Sequence, residues 1–219
     1  MSNWQDMIKT RHTTFAWSDK EVTREQIQEI LDEHFNYVPS KQAMIPYTIK
    51  VMDWSDPELR NKIFAWTHRN EDHSVEQDLG NPQVLAPWLL AFCPRHPEED
   101  DEYAVNYKGR KKITYFEKMA NLEIGIASSF IVWSAESRGL STGYCGCLNE
   151  LGTKPLLDNT LSLGKDDPEG VAVLLGIGYK DETNPKTYID PRTNKIKDLP
   201  TNDHNNSKRP DQSIYVEWK

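Results

Sequence analysis

Cysteine is scarce in this 219-residue sequence, which holds only Cys93, Cys145 and Cys147. Three is too few, and odd, for a disulfide framework, and the count suits a reducing compartment, so the expected location is the cytoplasm. Long apolar runs are missing too. The longest, Val84 to Cys93, falls far short of the roughly 20 residues that span a bilayer, and Met1 to Arg11 lacks the apolar core of a signal peptide. Positive charge is outweighed: 26 Lys and Arg face 34 Asp and Glu, for a formal net charge of -8. That field repels phosphate backbones and acidic lipid surfaces, which argues against nucleic-acid and membrane partners.

Metal-ligand patterns are equally thin. Cys145 and Cys147 have C-x-C spacing with only Cys93 elsewhere, which leaves a zinc site short of ligands. His68 and His73, five residues apart, would point to different faces of a helix, so Arg69 to His73 reads as a polar loop or helix end. Gly176-x-Gly178 follows an apolar run, but the sixth position of a dinucleotide-binding pattern is Asp181 and no helix is signalled after it. No metal site is expected.

Seven Trp, nine Tyr and six Phe supply large units of buried area, and the length suits one domain over residues 1–219. Thr23 and Gln26 have capping-box spacing, and Ile27, Ile30, Leu31 and Phe35 then fall on one helical face that should end before Pro39. Tyr47 to Met52 alternates as a half-buried strand, and Ser55 with Glu58 around Pro57 predicts another helix. Trp88 to Cys93 and Val171 to Ile177 read as central strands buried on both faces.

The strongest predicted helix covers about Glu117 to Arg138. One stripe on it holds Met119, Leu122, Ile126, Phe130 and Trp133; an adjacent one holds Ala120, Ile124, Ala127, Ile131 and Ala135. Gly139 stands where a helix-ending glycine belongs. Periodicity does not decide whether so apolar a helix is internal or packs on a second subunit. Pro94 to Arg110 and Lys180 to Asp211 read as solvated loops, the first a possible lid over about 94–112. The second belongs to an extended arm, about 180–219, ending in the alternating Ser213 to Trp218.

Arg11, His12, Thr13 and Thr14 place two potential cations and two hydroxyls side by side. A guanidinium fork with hydroxyl and backbone donors is the set that a phosphate monoester requires. The stretch R-H-T-T-F-A-W, followed by the capped helix and Y-V-P-S-K-Q-A-M-I-P-Y, resembles the opening of nitroreductases. There R-R/H-S/T-x-R/K-x-F precedes P-S-x-x-N-x-Q-P-W. N-P-Q-V-L-A-P-W-L-L-A-F, G-L-S-T-G-Y-C-G-C-L, V-A-V-L-L-G-I-G-Y and K-R-P-D-Q-S-I-Y-V-E-W follow in family order.

The resemblance implies an α+β fold, a mixed β-sheet flanked by helices, in an interlocked homodimer that binds flavin mononucleotide (FMN) between its subunits. Arg11, His12 and Thr13 match the positions that hold the FMN phosphate and ribityl chain, and Lys208 and Arg209 match a C-terminal basic pair at the same phosphate. Pro39, Ser40 and Lys41 match a segment supplied by the partner subunit. Tyr144, Cys145 and Gly146 match the stretch along the isoalloxazine. The implied reaction is ping-pong two-electron reduction, with NADH or NADPH as donor and nitroaromatics or quinones as small-molecule acceptors. The flavin N5 carries the chemistry, and no catalytic side chain is implied.

The departures fall at the ring end. Phe15 stands where the family usually has Arg or Lys beside flavin N1, and Ala43 and Ile45 replace Asn and Gln. Loss of that cation lowers the stability of an anionic reduced flavin. Lys41 and Arg110 are candidates to compensate. Other flavin chemistry, such as dehalogenation or flavin fragmentation, and a non-enzymatic FMN-binding role remain open alternatives.

Overall fold

The computed structural model describes residues 4–41, 45–67, 80–95, 113–146 and 170–199. After helix α1 (Trp4–Thr10), helix α2 (Arg24–Tyr37) begins at the predicted capping box. The Thr23 hydroxyl oxygen accepts the Gln26 N–H at 3.3 Å, and Gln26 Oε1 accepts the Thr23 N–H at 2.9 Å. Replacing such a cap by alanine costs about 1 kcal/mol. The inner face of α2 differs from expectation: Ile27, Ile30 and His34 are buried, whereas Phe35 is half exposed. Helical spacing from Ile27 and Ile30 selects His34, and apolarity alone had favoured its neighbour.

Strand β1 (Tyr47–Met52) follows, then α3 (Pro57–Trp66). Asp56, rather than Ser55, caps α3, accepting the N–H groups of Glu58 and Leu59 at 2.9 and 3.1 Å. The Ser55 N–H donates instead to Asp53 Oδ1. A 3-10 turn at Pro82–Leu85 leads into β2 (Trp88–Pro94), and β3 (Ser141–Cys145) and β4 (Val173–Gly178) complete a sheet of order β1-β2-β4-β3. All pairings within that sheet are antiparallel.

Both predicted central strands are central, and their side chains alternate between two cores. Leu90, Phe92 and Leu175 face α2 and the long helix, with Ile30, Ile124 and Ile131. Leu89, Ala91 and Leu174 face α3, with Ile63 and Phe64. This period-two division explains why the sequence there reads as a continuous apolar run.

Three cross-strand glycines give the sheet a bare patch. Gly143 lies opposite Gly176, and Ser141 opposite Gly178. A Cβ on Gly176 would stand 2.4 Å from the Gln83 carbonyl oxygen and 2.8 Å from the Ala86 Cβ, and the Trp17 ring lies against all three glycines. Gly176→Ala is therefore expected to destabilise the fold by about 1–3 kcal/mol, read as a lower urea midpoint. An unchanged midpoint would mean that the 3-10 turn does not seat on this strand.

The long helix α4 (Ile113–Ser137) begins before the predicted Glu117. It ends in a Schellman motif: Gly139 has φ +75°, its N–H donates to Glu136, and the Leu140 N–H donates to Ala135. Of its two apolar stripes, the one with Ala120, Ile124, Ala127, Ile131 and Ala135 is buried. The other is partly open, with Leu122 57% and Ile126 37% exposed and Phe130 and Trp133 half buried. Trp133 on that stripe packs against Trp4, ring centroids 4.9 Å apart.

The polar stretch after Lys180 is not wholly loop. Strands β5 (Thr187–Asp190) and β6 (Lys195–Asp198) form a hairpin. Burial alone would raise the Asp190 pKa, but hydrogen bonds from Arg192 and Lys197 hold it well below the usual carboxylate range. Most of the possible lid, the end of the arm, Arg69 to His73, Arg110 and Cys147 lie outside the described residues. Among the described residues no helix is long and apolar enough to cross a membrane.

Candidate functional site

The segment after α1 is laid along the edge of the sheet. The Arg11 N–H closes the last turn by donating to Met7, and the Thr14 N–H donates to Thr142 of edge strand β3 at 2.9 Å. Trp17 then bridges Lys180 and donates its indole N–H to Pro82 at 2.9 Å. Between these anchors Arg11 is half exposed and His12 and Thr13 are exposed. Their side chains make no hydrogen bond among the described residues, so a guanidinium, an imidazole and a hydroxyl stand open together. Phe15, next in line, is half buried.

The Thr14–Thr142 bond joins this segment to the strand that carries the second predicted piece. Along β3 the side chains alternate: Tyr144 packs with the core under α2 and α4, whereas Cys145 faces the other core and is fully buried. Cys145 Sγ accepts an N–H from Asn81 Nδ2 at 3.2 Å. The Cys145 thiol is thus a packing group with a hydrogen-bond partner. Gly146 is exposed, with open space where a Cβ would stand. Tyr144 also lines a cavity of about 410 Å³ against Ser128, Ser129 and Val173.

Pro39, Ser40 and Lys41 leave the end of α2, and a buried acid on α4 fixes them. Glu123, 2% exposed, accepts the Ser40 hydroxyl at 2.6 Å and the Lys41 N–H at 3.0 Å. Ser40 Oγ in turn accepts the Ile45 N–H at 3.0 Å. Ile45 has φ +42°, a left-handed conformation that a β-branched residue rarely adopts, so the segment is held against local preference. Beside it, burial and then the Glu123 charge push the Tyr47 pKa above its ordinary value. Among the described residues no hydrogen bond joins 39–41 to 11–13. Ala43, Lys208 and Arg209 lie outside the described residues.

Several residues at these points were not singled out from sequence. Glu123 is an acid on an otherwise apolar buried face. Glu136 sits at the C-terminal end of α4, where an acid opposes the helix dipole, a broken local rule that can mark a site. Burial raises its pKa, and the charges of Arg11 and Lys180 and the Thr142 hydroxyl at 3.5 Å oppose that rise. Asn81 and Gln83 are buried and bonded to each other at 2.8 Å.

No protein-family profile and no curated protein matches the chain. Solved structures do. A nitroreductase family protein from Streptococcus pneumoniae superposes with TM-score 0.66 at 15% identity, covering 99% of this chain and 100% of that one. Nitroreductase A from Vibrio parahaemolyticus gives 0.63 at 18% identity over 84% of this chain and 71% of its own. An FMN-dependent nitroreductase from Clostridium difficile gives 0.58 at 18% identity over 80% and 87%. The chain has the nitroreductase fold. Within that nitroreductase fold, the 11–15 segment is bonded to edge strand β3 at Thr142, and the 39–41 segment is pinned separately on α4.

Proposed function

We propose that the protein is an FMN-dependent oxidoreductase of the nitroreductase family that passes hydride from NADH or NADPH to nitroaromatic or quinone-like acceptors. The observation that carries this reading is the open donor set of Arg11, His12 and Thr13, docked on β3 through Thr14. A phosphate monoester has many acceptor sites, and a planar guanidinium beside hydroxyl and backbone donors satisfies them in a fixed geometry. Bound FMN would supply two-electron chemistry at its N5. The chain's own residues would bind and orient it: Arg11, His12 and Thr13, with Lys208 and Arg209, at the phosphate, and the backbone of Tyr144, Cys145 and Gly146 along the ring. Gly146 fits that part, since nothing occupies the space where a side chain would stand.

A second copy completes the site in this reading. The open stripe of α4, with exposed Trp4 and Ile8 on α1, forms an apolar face that a homodimer would bury. Pro39, Ser40 and Lys41 of one copy would then serve the site of the other, held by Glu123.

The ring end lacks the usual cation. Phe15 offers no charge to a reduced flavin, so Phe15→Arg is expected to raise the flavin reduction potential by about 30 mV, or roughly 1.4 kcal/mol for two electrons. Potentiometric titration measures this, and an unchanged potential would displace Phe15 from the ring. The whole reading is tested by adding NADH or NADPH anaerobically to the yellow protein. Bleaching, reversed by a quinone, is the expected result. Yellow protein that neither donor bleaches would instead be a flavin-binding protein without this activity.

A further inference from the structure

A cavity of about 670 Å³ lies apart from the cluster just described, between the 17–25 segment, the β1–α3 turn and the β5 end of the hairpin. It involves none of Arg11, His12, Thr13, Phe15 or the 144–146 stretch. Its size is that of a small-molecule site. Trp17, Trp54, Trp88, Tyr188 and Leu85 form its inner walls. All three indole N–H groups already donate to backbone: Trp17 to Pro82, Trp88 to Val22, and Trp54 to Ala86. These walls therefore offer aromatic surface rather than free indole donors.

One charge sits among those walls. Arg60 donates from Nη2 to the Leu85 carbonyl at 3.0 Å, and its buried Nε has no partner. Among the described residues no carboxylate pairs with it. The Trp54 ring lies 6.0 Å from its guanidinium carbon. A half-buried cation without a counter-ion is an unfavourable arrangement that an anionic ligand relieves. Trp54 holds its place with φ +59°, strained for a bulky residue, and such strain concentrates at ligand sites.

The rim narrows the ligand. Asp19, Glu21, Glu25 and Asp53 are exposed there, against exposed Lys20 and Arg24. That surplus of negative charge opposes any anion and a dianion most, so it selects a monoanion on Arg60 over a phosphate monoester. From these features we infer that the cavity binds a planar aromatic monocarboxylate, its ring against the tryptophans and its carboxylate on Arg60.

Calorimetric titration of the purified full chain, with saturating FMN present, tests this using 2-naphthoate and neutral 2-naphthamide. The carboxylate is expected to bind with Kd below about 1 mM, and the amide at least about tenfold more weakly. Arg60→Gln should abolish that preference. Glu21→Gln, an exposed rim change, should tighten the carboxylate about twofold and leave the amide unchanged. No saturable binding, equal binding of the two probes, or a preference that survives Arg60→Gln overturns the inference. If Arg60→Gln does not fold, the rim variant decides, and an unchanged ratio of the two affinities overturns it.

Discussion

Arg11→Ala is expected to weaken FMN binding by about 10- to 100-fold, because a charge-assisted hydrogen bond contributes about 1.5–3 kcal/mol. The fold should survive, since the Arg11 side chain makes no hydrogen bond among the described residues and the segment is held by its backbone through Thr14 and Thr142. Fluorescence titration of apoprotein measures the loss. Thr13→Ala should act in the same direction but less, a neutral hydroxyl being the weaker donor. If Arg11→Ala retains FMN as the parent does, the phosphate lies elsewhere and the reading of this edge-strand cluster fails. Removing Arg11 also takes away a charge that opposes the raised Glu136 pKa, so Glu136 should become still harder to ionise.

Acid should destabilise the protein through His34. Burial lowers its pKa to about 4, from an ordinary value near 6.5. The unfolded chain therefore takes up a proton below about pH 6.5, and the folded chain resists until about pH 4. Its contribution to stability is complete above pH 6.5 and is lost as pH falls through that window. The size is about 2–3 kcal/mol. His34 is fully buried, with Nε2 2.9 Å from the Tyr47 hydroxyl and Nδ1 unpaired. Urea unfolding of the parent and of His34→Gln at pH 7.5, 5.5 and 4.5 separates this group from the acids, which both proteins share. The stability gap between the two should shrink or reverse on acidification; a gap independent of pH would contradict the assignment.

Local chemistry was legible in the sequence wherever a short stretch determines the outcome. Thr23 with Gln26 starts α2, Gly139 ends α4, and the alternation of Tyr47 to Met52 makes an edge strand of the right length. Arg11, His12 and Thr13 were legible as a donor set because their residue types sit side by side. Long-range pairings were not. Which strand the 11–15 segment would meet depends on Thr14 reaching Thr142, more than a hundred residues away in sequence. Glu123 gains its role only from Ser40 and Lys41, more than eighty residues away in sequence. The hairpin after Lys180 was hidden by its polar composition, since one of its two buried residues, Asp190, is an acid satisfied by Arg192 and Lys197.

α4 shows the limit most clearly. Both of its stripes are apolar in sequence, yet one is fully packed and the other partly open. Only the packing of the sheet against the first stripe distinguishes them.

Thermal unfolding with and without added FMN decides whether this chain is a flavoprotein. A ligand that binds only the folded state stabilises it by about 2.7 kcal/mol at 100 times its Kd. Yellow protein as purified is expected, or a Tm that climbs with FMN and not with riboflavin, because the phosphate end is the well-furnished one. Colourless protein whose Tm ignores FMN would contradict it.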